Sequence, residues 1–196
     1  MRLVLCSGSP RRREMLARIG LHFDVEIPRI AEARASGEPI SAYPERLARD
    51  KAAAGLESWR KRGGQGAAVA LAADTIVVLD EEVLEKPRDR SDAERMLRRL
   101  SGKEHRVITG VCVATEGEKR SRSVITSVRF TDLSDAALRW LVASGDGDDK
   151  AGAYAIQGLA GSFVDRIDGS FSNVIGLPLT ETLQLLAGAG LRMPWG

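Results

Sequence analysis

From Ala67 to Leu79 the chain runs through thirteen residues with a single charge, that of Asp74. So continuous an apolar run marks a strand buried on both faces, which fixes the rest of the molecule as layers packed around a sheet. A carboxylate inside such a strand is costly unless it is paired or bound to a metal. Asp74 is therefore either one half of a buried structural ion pair or part of a site. Thr75 points to the opposite face of the strand unless a bulge or the strand end turns both residues toward one cleft.

A second constraint lies at the N-terminus. The apolar run Arg2 to Cys6 reads as a short buried strand, and Ser7-Gly8-Ser9-Pro10-Arg11-Arg12-Arg13 follows before Met15, Leu16 and Ile19 resume at helical spacing. Ser9 is the natural N-cap and Pro10 the first helical residue. Arginines in a first helical turn oppose the helix dipole, so they make sense around an anion. Strand, glycine-containing turn, capped helix and guanidinium forks together form a cradle for phosphate oxygens. The competing reading is a solvated basic face.

The remaining pattern alternates strands with helices. Phe23 to Ile27 alternates as a strand, Pro28 to Pro39 is loop, and Ser41 to about Arg62 is a long amphipathic helix ended by Gly63-Gly64. Asp80-Glu81 turns into Val83-Leu84. Ser91 to Leu100 is a helix with Ser91 and Glu94 as capping box. His105 to Thr115 and Ser121 to Phe130 form a hairpin, Ser134 caps a helix ending near Gly145, Phe163 to Ile167 is a strand, and a last helix runs from Leu179 to about Ala187. This order predicts an α/β protein with a mixed sheet flanked by helices.

Composition narrows the function. With 29 Lys plus Arg against 27 Asp plus Glu in 196 residues, the balance is too even for bulk binding to nucleic acid or membrane. No stretch reads as a signal peptide or a membrane span. Cys6 and Cys112 lie in apolar strands without a metal-ligand partner, which predicts reduced core thiols in a cytoplasmic protein rather than a redox or zinc role. Neither His22 nor His105 stands in a nucleophile motif, and no Walker A loop occurs. Ser101-Gly102-Lys103 is a helix-terminating turn. Lys51, Lys86 and Lys150 stand in distinctive settings, although a lysine is more often a solvated charge than a ligand. Gln157, within Ala155-Ile156-Gln157-Gly158, offers the donor and acceptor that reading a base edge requires, and equally those of a loop-stabilising hydrogen bond.

Taken together these segments resemble the Maf-like family of nucleoside triphosphate pyrophosphatases. The residues that carry the resemblance are Ser7-Gly8-Ser9-Pro10-Arg11-Arg12, Ala73-Asp74-Thr75-Ile76-Val77-Val78, Leu84-Glu85-Lys86-Pro87, Leu100-Ser101-Gly102, Asp149 to Gly158 and Gly176-Leu177-Pro178-Leu179. They occur in the family's order across almost the whole chain. The resemblance implies one domain over 1–196, with two lobes around a central cleft. It implies hydrolysis of dTTP and UTP to monophosphate and pyrophosphate, with Mg2+ or Mn2+, removing unwanted or modified pyrimidine nucleotides. Asp74 matches the catalytic carboxylate, described as proton acceptor. Arg11, Thr75 and Gln157 match positions tied to substrate choice. Ser7, Arg12, Lys51 and Lys86 fall around the phosphates, Asp74 and Glu32 at the metal, and Asp149 nearby. Asp50 departs from the family's usual Glu before the lysine, and the Gly147-Asp148 loop is more acidic than usual.

The residues suit that chemistry in their own right. Attack of water on the α-phosphorus needs a base, cations on the non-bridging oxygens and stabilisation of departing pyrophosphate. Hard oxygen ligands favour magnesium or manganese over structural zinc. A nucleotidyltransferase and a nucleotide-binding regulator of septum formation are the two competing readings. The expected partner is a small-molecule nucleoside triphosphate, and the expected assembly a homodimer.

Overall fold

The computed structural model describes residues 1–196. The long apolar run forms β3 (Ala68–Leu79), whose side chains are buried on both faces except at the half-buried Thr75. Around it lie β1 (Arg2–Cys6), β2 (Phe23–Glu26), β4 (Glu82–Leu84), β5 (Glu104–Ala114), β6 (Lys119–Phe130) and β7 (Val164–Asp168). Their order is β2-β1-β3-β5-β6-β7, with β4 paired to β3 alone. Strand β1 is parallel to both neighbours, Leu3 lying opposite Phe23 and Val69, whereas β4 and β7 run antiparallel to β3 and β6. The expected mixed sheet is thus what forms. Consecutive strands β5 and β6 are neighbours, joined by a turn in which Thr115 N–H donates to the Glu118 carbonyl at 2.8 Å.

Six α-helices accompany the sheet: α1 (Pro10–Arg18), α2 (Tyr43–Lys61), α3 (Arg90–Leu100), α4 (Asp135–Ser144), α5 (Phe171–Ile175) and α6 (Leu179–Gly188). Ser9 and Ser134 cap α1 and α4, and Gly145 closes α4 in the left-handed conformation, as expected. Several strand ends shift by one or two residues from the sequence reading, and two helix starts differ. Helix α2 begins at Tyr43 rather than Ser41, with Pro44 in the first turn, where its missing N–H leaves no bond unmade. Helix α3 is capped by Asp89, whose carboxylate accepts from the Asp92 N–H at 2.8 Å, while Ser91 Oγ donates to Asp89 at 2.7 Å. At the positive end of a helix the charged acceptor outcompetes the hydroxyl. Helix α5 has no counterpart in the sequence reading, because five residues are too few to show a helical period.

By contacts the chain forms two compact units, the first from Met1–Asp74, Thr109–Val124 and Gly176–Gly196, the second from Thr75–Ile108 and Ile125–Ile175. In the first, Ala48, Ala52, Leu56 and Trp59 of α2 pack on Val4, Cys6, Ala70, Ala72 and Cys112 of the sheet. Small residues bring this helix close. A Cβ at Gly55 would lie 2.3 Å from Cys6 Sγ, and one at Gly110 2.3 Å from the Pro44 carbonyl. Both cysteines are free and buried, and burial pushes the Cys6 thiol up to about 12 and the Cys112 thiol to about 11. The second unit has its own core, built from Leu97, Leu100, Phe130, Leu138 and Tyr154 among others. No helix is long and apolar enough to cross a membrane.

Candidate active site

Helix α2 aims a lysine at the carboxylate in β3. Lys51 lies about 60° around the helix from Ala48 and about 40° from Gly55, so it flanks the stripe that packs on the sheet. Its stem is buried and its ammonium donates to Asp74 Oδ1 at 2.6 Å. The same Nζ lies 2.8 Å from Oε1 of Glu32, a residue from the loop between β2 and α2 whose side chain is 52% exposed. Two carboxylates therefore converge on one cation, with one of them open to solvent. Of the two Asp74 oxygens, Lys51 engages Oδ1 and leaves Oδ2.

The opening cluster builds a second feature of the same unit. Ser7 is buried just beyond the end of β1, and its Oγ accepts from the Ser9 N–H at 3.2 Å and from Arg12 Nη1 at 3.2 Å. Arg12 Nε donates to the Gly176 carbonyl at 2.8 Å. Burial lowers the Arg12 pKa, an effect offset first by Asp74, reinforced by Arg11 and offset again by Glu32. Arg12 stays charged, as arginines in proteins do. Arg11 is half-buried with no hydrogen bond or ion pair of its own, while Arg13 is exposed and reaches only the Gly8 carbonyl at 3.5 Å.

Of the expected residues, Glu32, Lys51 and Asp74 are brought together by direct contacts, and Ser7 and Arg12 form a second cluster in the same unit with Arg11 next to it in α1. Thr75 follows Asp74 along β3, where alternation sends it to the other face. Lys86 and Gln157 belong to the second unit and are exposed. There the Gly152 N–H donates to the Glu85 carbonyl at 3.2 Å, tying the segment of Lys86 to the turn that leads to Gln157. Asp149 is exposed and paired with Lys150. Beneath that turn His105 Nε2 and the Tyr154 hydroxyl are 2.8 Å apart, both buried, with the Phe130 ring edge-on to each. Burial pushes His105 down to about 4 and the tyrosine pKa up.

Two participants have no individual role in the sequence reading. Gly176 belongs to one of the motifs that carry the resemblance, but nothing local says that its carbonyl receives Arg12. Tyr43, whose hydroxyl donates to the Glu32 carbonyl at 3.1 Å, looks from its spacing like an ordinary core residue of α2. A separate concavity of about 720 Å³ beside Asp24, Trp59 and Arg62 contains none of the candidate residues.

Comparison with known proteins finds relatives along almost the whole chain. The Maf-like protein family matches residues 2–189. The chain is 52% identical over 185 residues to a dTTP/UTP pyrophosphatase of Vibrio cholerae, spanning 94% of this chain and 96% of that protein. It is 51% identical over 198 residues to one of Anaeromyxobacter dehalogenans, spanning 99% and 97%. It is 49% identical over 193 residues to one of Hahella chejuensis, spanning 98% and 94%.

Proposed function

This chain belongs to the Maf-like protein family, and from that premise we propose that it hydrolyses dTTP and UTP to the monophosphate and pyrophosphate at the Asp74–Lys51–Glu32 cluster. The observation that carries the reading is the buried Asp74 carboxylate, held through one oxygen by Lys51 and within electrostatic reach of Arg12. Water attacks the α-phosphorus, the bond from that phosphorus to the bridging oxygen breaks, and pyrophosphate leaves with the bond's electrons. Asp74 accepts the proton lost by the water, through the Oδ2 that Lys51 leaves open. Arg11, Arg12, Lys51 and Lys86 hold the phosphate oxygens, and their charge offsets what accumulates on them as the bond breaks. Ser7 orients Arg12 by accepting from its guanidinium, and its hydroxyl hydrogen remains to donate to a phosphate oxygen.

The donor set suits a hard divalent cation. Asp74 and Glu32 present carboxylate oxygens on either side of Lys51, and no group of three His, Cys, Asp or Glu capable of holding a metal is assembled. Mg2+ is held in such sites by one or two carboxylates together with substrate phosphates. When bound, Mg2+ or Mn2+ supplies Lewis-acid charge to the phosphate oxygens. Gln157 and Thr75 act in substrate choice, and Gln157, exposed and with both donor and acceptor, complements the N3–H and O4 of uracil or thymine. Free, buried thiols at Cys6 and Cys112 suit a cytoplasmic enzyme.

A nucleotide panel in H2 18O tests the reading, with pyrophosphate and orthophosphate measured separately. The expected products from dTTP and UTP are pyrophosphate and a monophosphate carrying the label, and chelation of the cation stops turnover. Orthophosphate with a nucleoside diphosphate, or label in pyrophosphate alone, overturns attack at the α-phosphorus.

A further inference from the structure

The segment that supplies Glu32 has no helix or strand from Ile27 to Ala42, yet it is fastened at several points to the first two turns of α2. Arg46 does most of this. Its Nε donates to Glu38 Oε1 at 2.6 Å, its Nη2 to Glu38 Oε2 at 3.0 Å and to the Ala33 carbonyl at 2.8 Å. Its Nη1 reaches Asp50 Oδ2 at 3.0 Å. Glu38 passes the restraint on by accepting from the Ala35 N–H at 3.0 Å. One turn earlier the Tyr43 hydroxyl holds the Glu32 carbonyl, and the Arg46 guanidinium lies 5.6 Å from the centre of the Tyr43 ring.

An isolated surface ion pair would fix little. This fork differs because the Glu38 side chain is only 10% exposed and is engaged through both oxygens, which sets direction as well as distance. The carbonyls of Glu32 and Ala33 are both held by α2, the helix whose Lys51 meets the Glu32 carboxylate. Lys51 is the one side-chain partner of that carboxylate, so its place beside Asp74 depends on where the backbone puts it.

We propose that Arg46 and Tyr43 are positioning residues for Glu32, holding the 32–38 loop so that this carboxylate stays on Lys51 next to Asp74. The inference rests on the reading that Glu32 belongs to the active site. A double-mutant cycle with Glu32→Gln and Arg46→Met, reading kcat and KM for dTTP together with the thermal midpoint, separates the two. Arg46→Met is expected to lower kcat about tenfold to a hundredfold, the usual range for groups that orient a liganding carboxylate. In the Glu32→Gln background it is expected to cost nothing further, because coupled residues are non-additive. A merely structural role predicts multiplicative losses in the double variant, and that result overturns the proposal. So does normal turnover in Arg46→Met beside an impaired Glu32→Gln. If Glu32→Gln alone is unimpaired, the site reading fails and the inference falls with it. Should Arg46→Met not fold, Tyr43→Phe, which removes one hydroxyl, takes its place in the cycle, and loss confined to the Glu32 background again supports the proposal while multiplicative loss overturns it.

Discussion

The ammonium of Lys51 lies 2.6 Å from Oδ1 of Asp74, and both side chains are nearly sealed from solvent. A buried pair of this kind gives little net stability, because desolvation of two charges consumes most of their attraction. Its value lies in orientation. One carboxylate oxygen is fixed by the lysine, and in the proposed mechanism the other takes the proton of the attacking water.

Replacing Asp74 by Asn keeps the shape and removes the charge. Turnover with dTTP is expected to fall about a hundredfold or more, the scale of losing a general base. Lys51 keeps Glu32 as a partner, so the variant is expected to fold, which a thermal unfolding curve checks. Near-normal turnover in a folded variant would rule out the catalytic role.

The three arginines of the first turn should separate sharply. Arg12→Ala removes bonds to Ser7 and to the Gly176 carbonyl as well as the proposed phosphate contact, so it should raise KM, lower kcat and lower the melting temperature together. Each charge-assisted bond lost is worth about 1.5–3 kcal/mol. Arg13→Ala should stay within about 0.5 kcal/mol in stability and leave kinetics unchanged, as exposed substitutions do. Similar, small effects at Arg11, Arg12 and Arg13 would favour a solvated basic face.

Base preference should run through Gln157. Gln157→Glu removes the amide donor proposed to meet O4, and an unpaired polar edge costs about 1–3 kcal/mol. The ratio of kcat/KM for UTP over CTP is therefore expected to shrink by about fivefold or more. An unchanged ratio would mean that Gln157 does not read the base.

Acid sensitivity should come from His105. Its pKa falls from the ordinary 6.5 to about 4 in the folded protein because burial disfavours the imidazolium. The unfolded chain binds a proton below about pH 6.5 that the folded one refuses until about pH 4. Stability from this group is complete above that window and is lost as pH falls through it, by about 1.4 kcal/mol per pH unit and on the order of 3 kcal/mol in all. Urea midpoints between pH 7 and pH 5 should drop for the natural protein and flatten for His105→Gln, which keeps a partner for Tyr154 without titrating. Equal slopes would show that His105 is not held neutral.

What the sequence determined by itself is everything that short-range periodicity and capping encode. The two-faced burial of β3, the Ser9 cap on α1, the Gly145 stop after α4 and the cost of Asp74 in an apolar strand are all legible, because each depends on residues within a turn or a strand. Where local signals compete, as Asp89 and Ser91 do at the start of α3, the sequence offers two caps and only the formed helix selects one. Pairings over long separations are a different matter. Lys51 meets Asp74 across 23 residues, and Arg12 meets the Gly176 carbonyl across 164. Many basic residues satisfy the charge requirement of Asp74 equally well on paper. Only the docking of α2, brought close by Gly55 and Gly110, decides which one arrives, since a salt bridge forms where packing has already placed its partners.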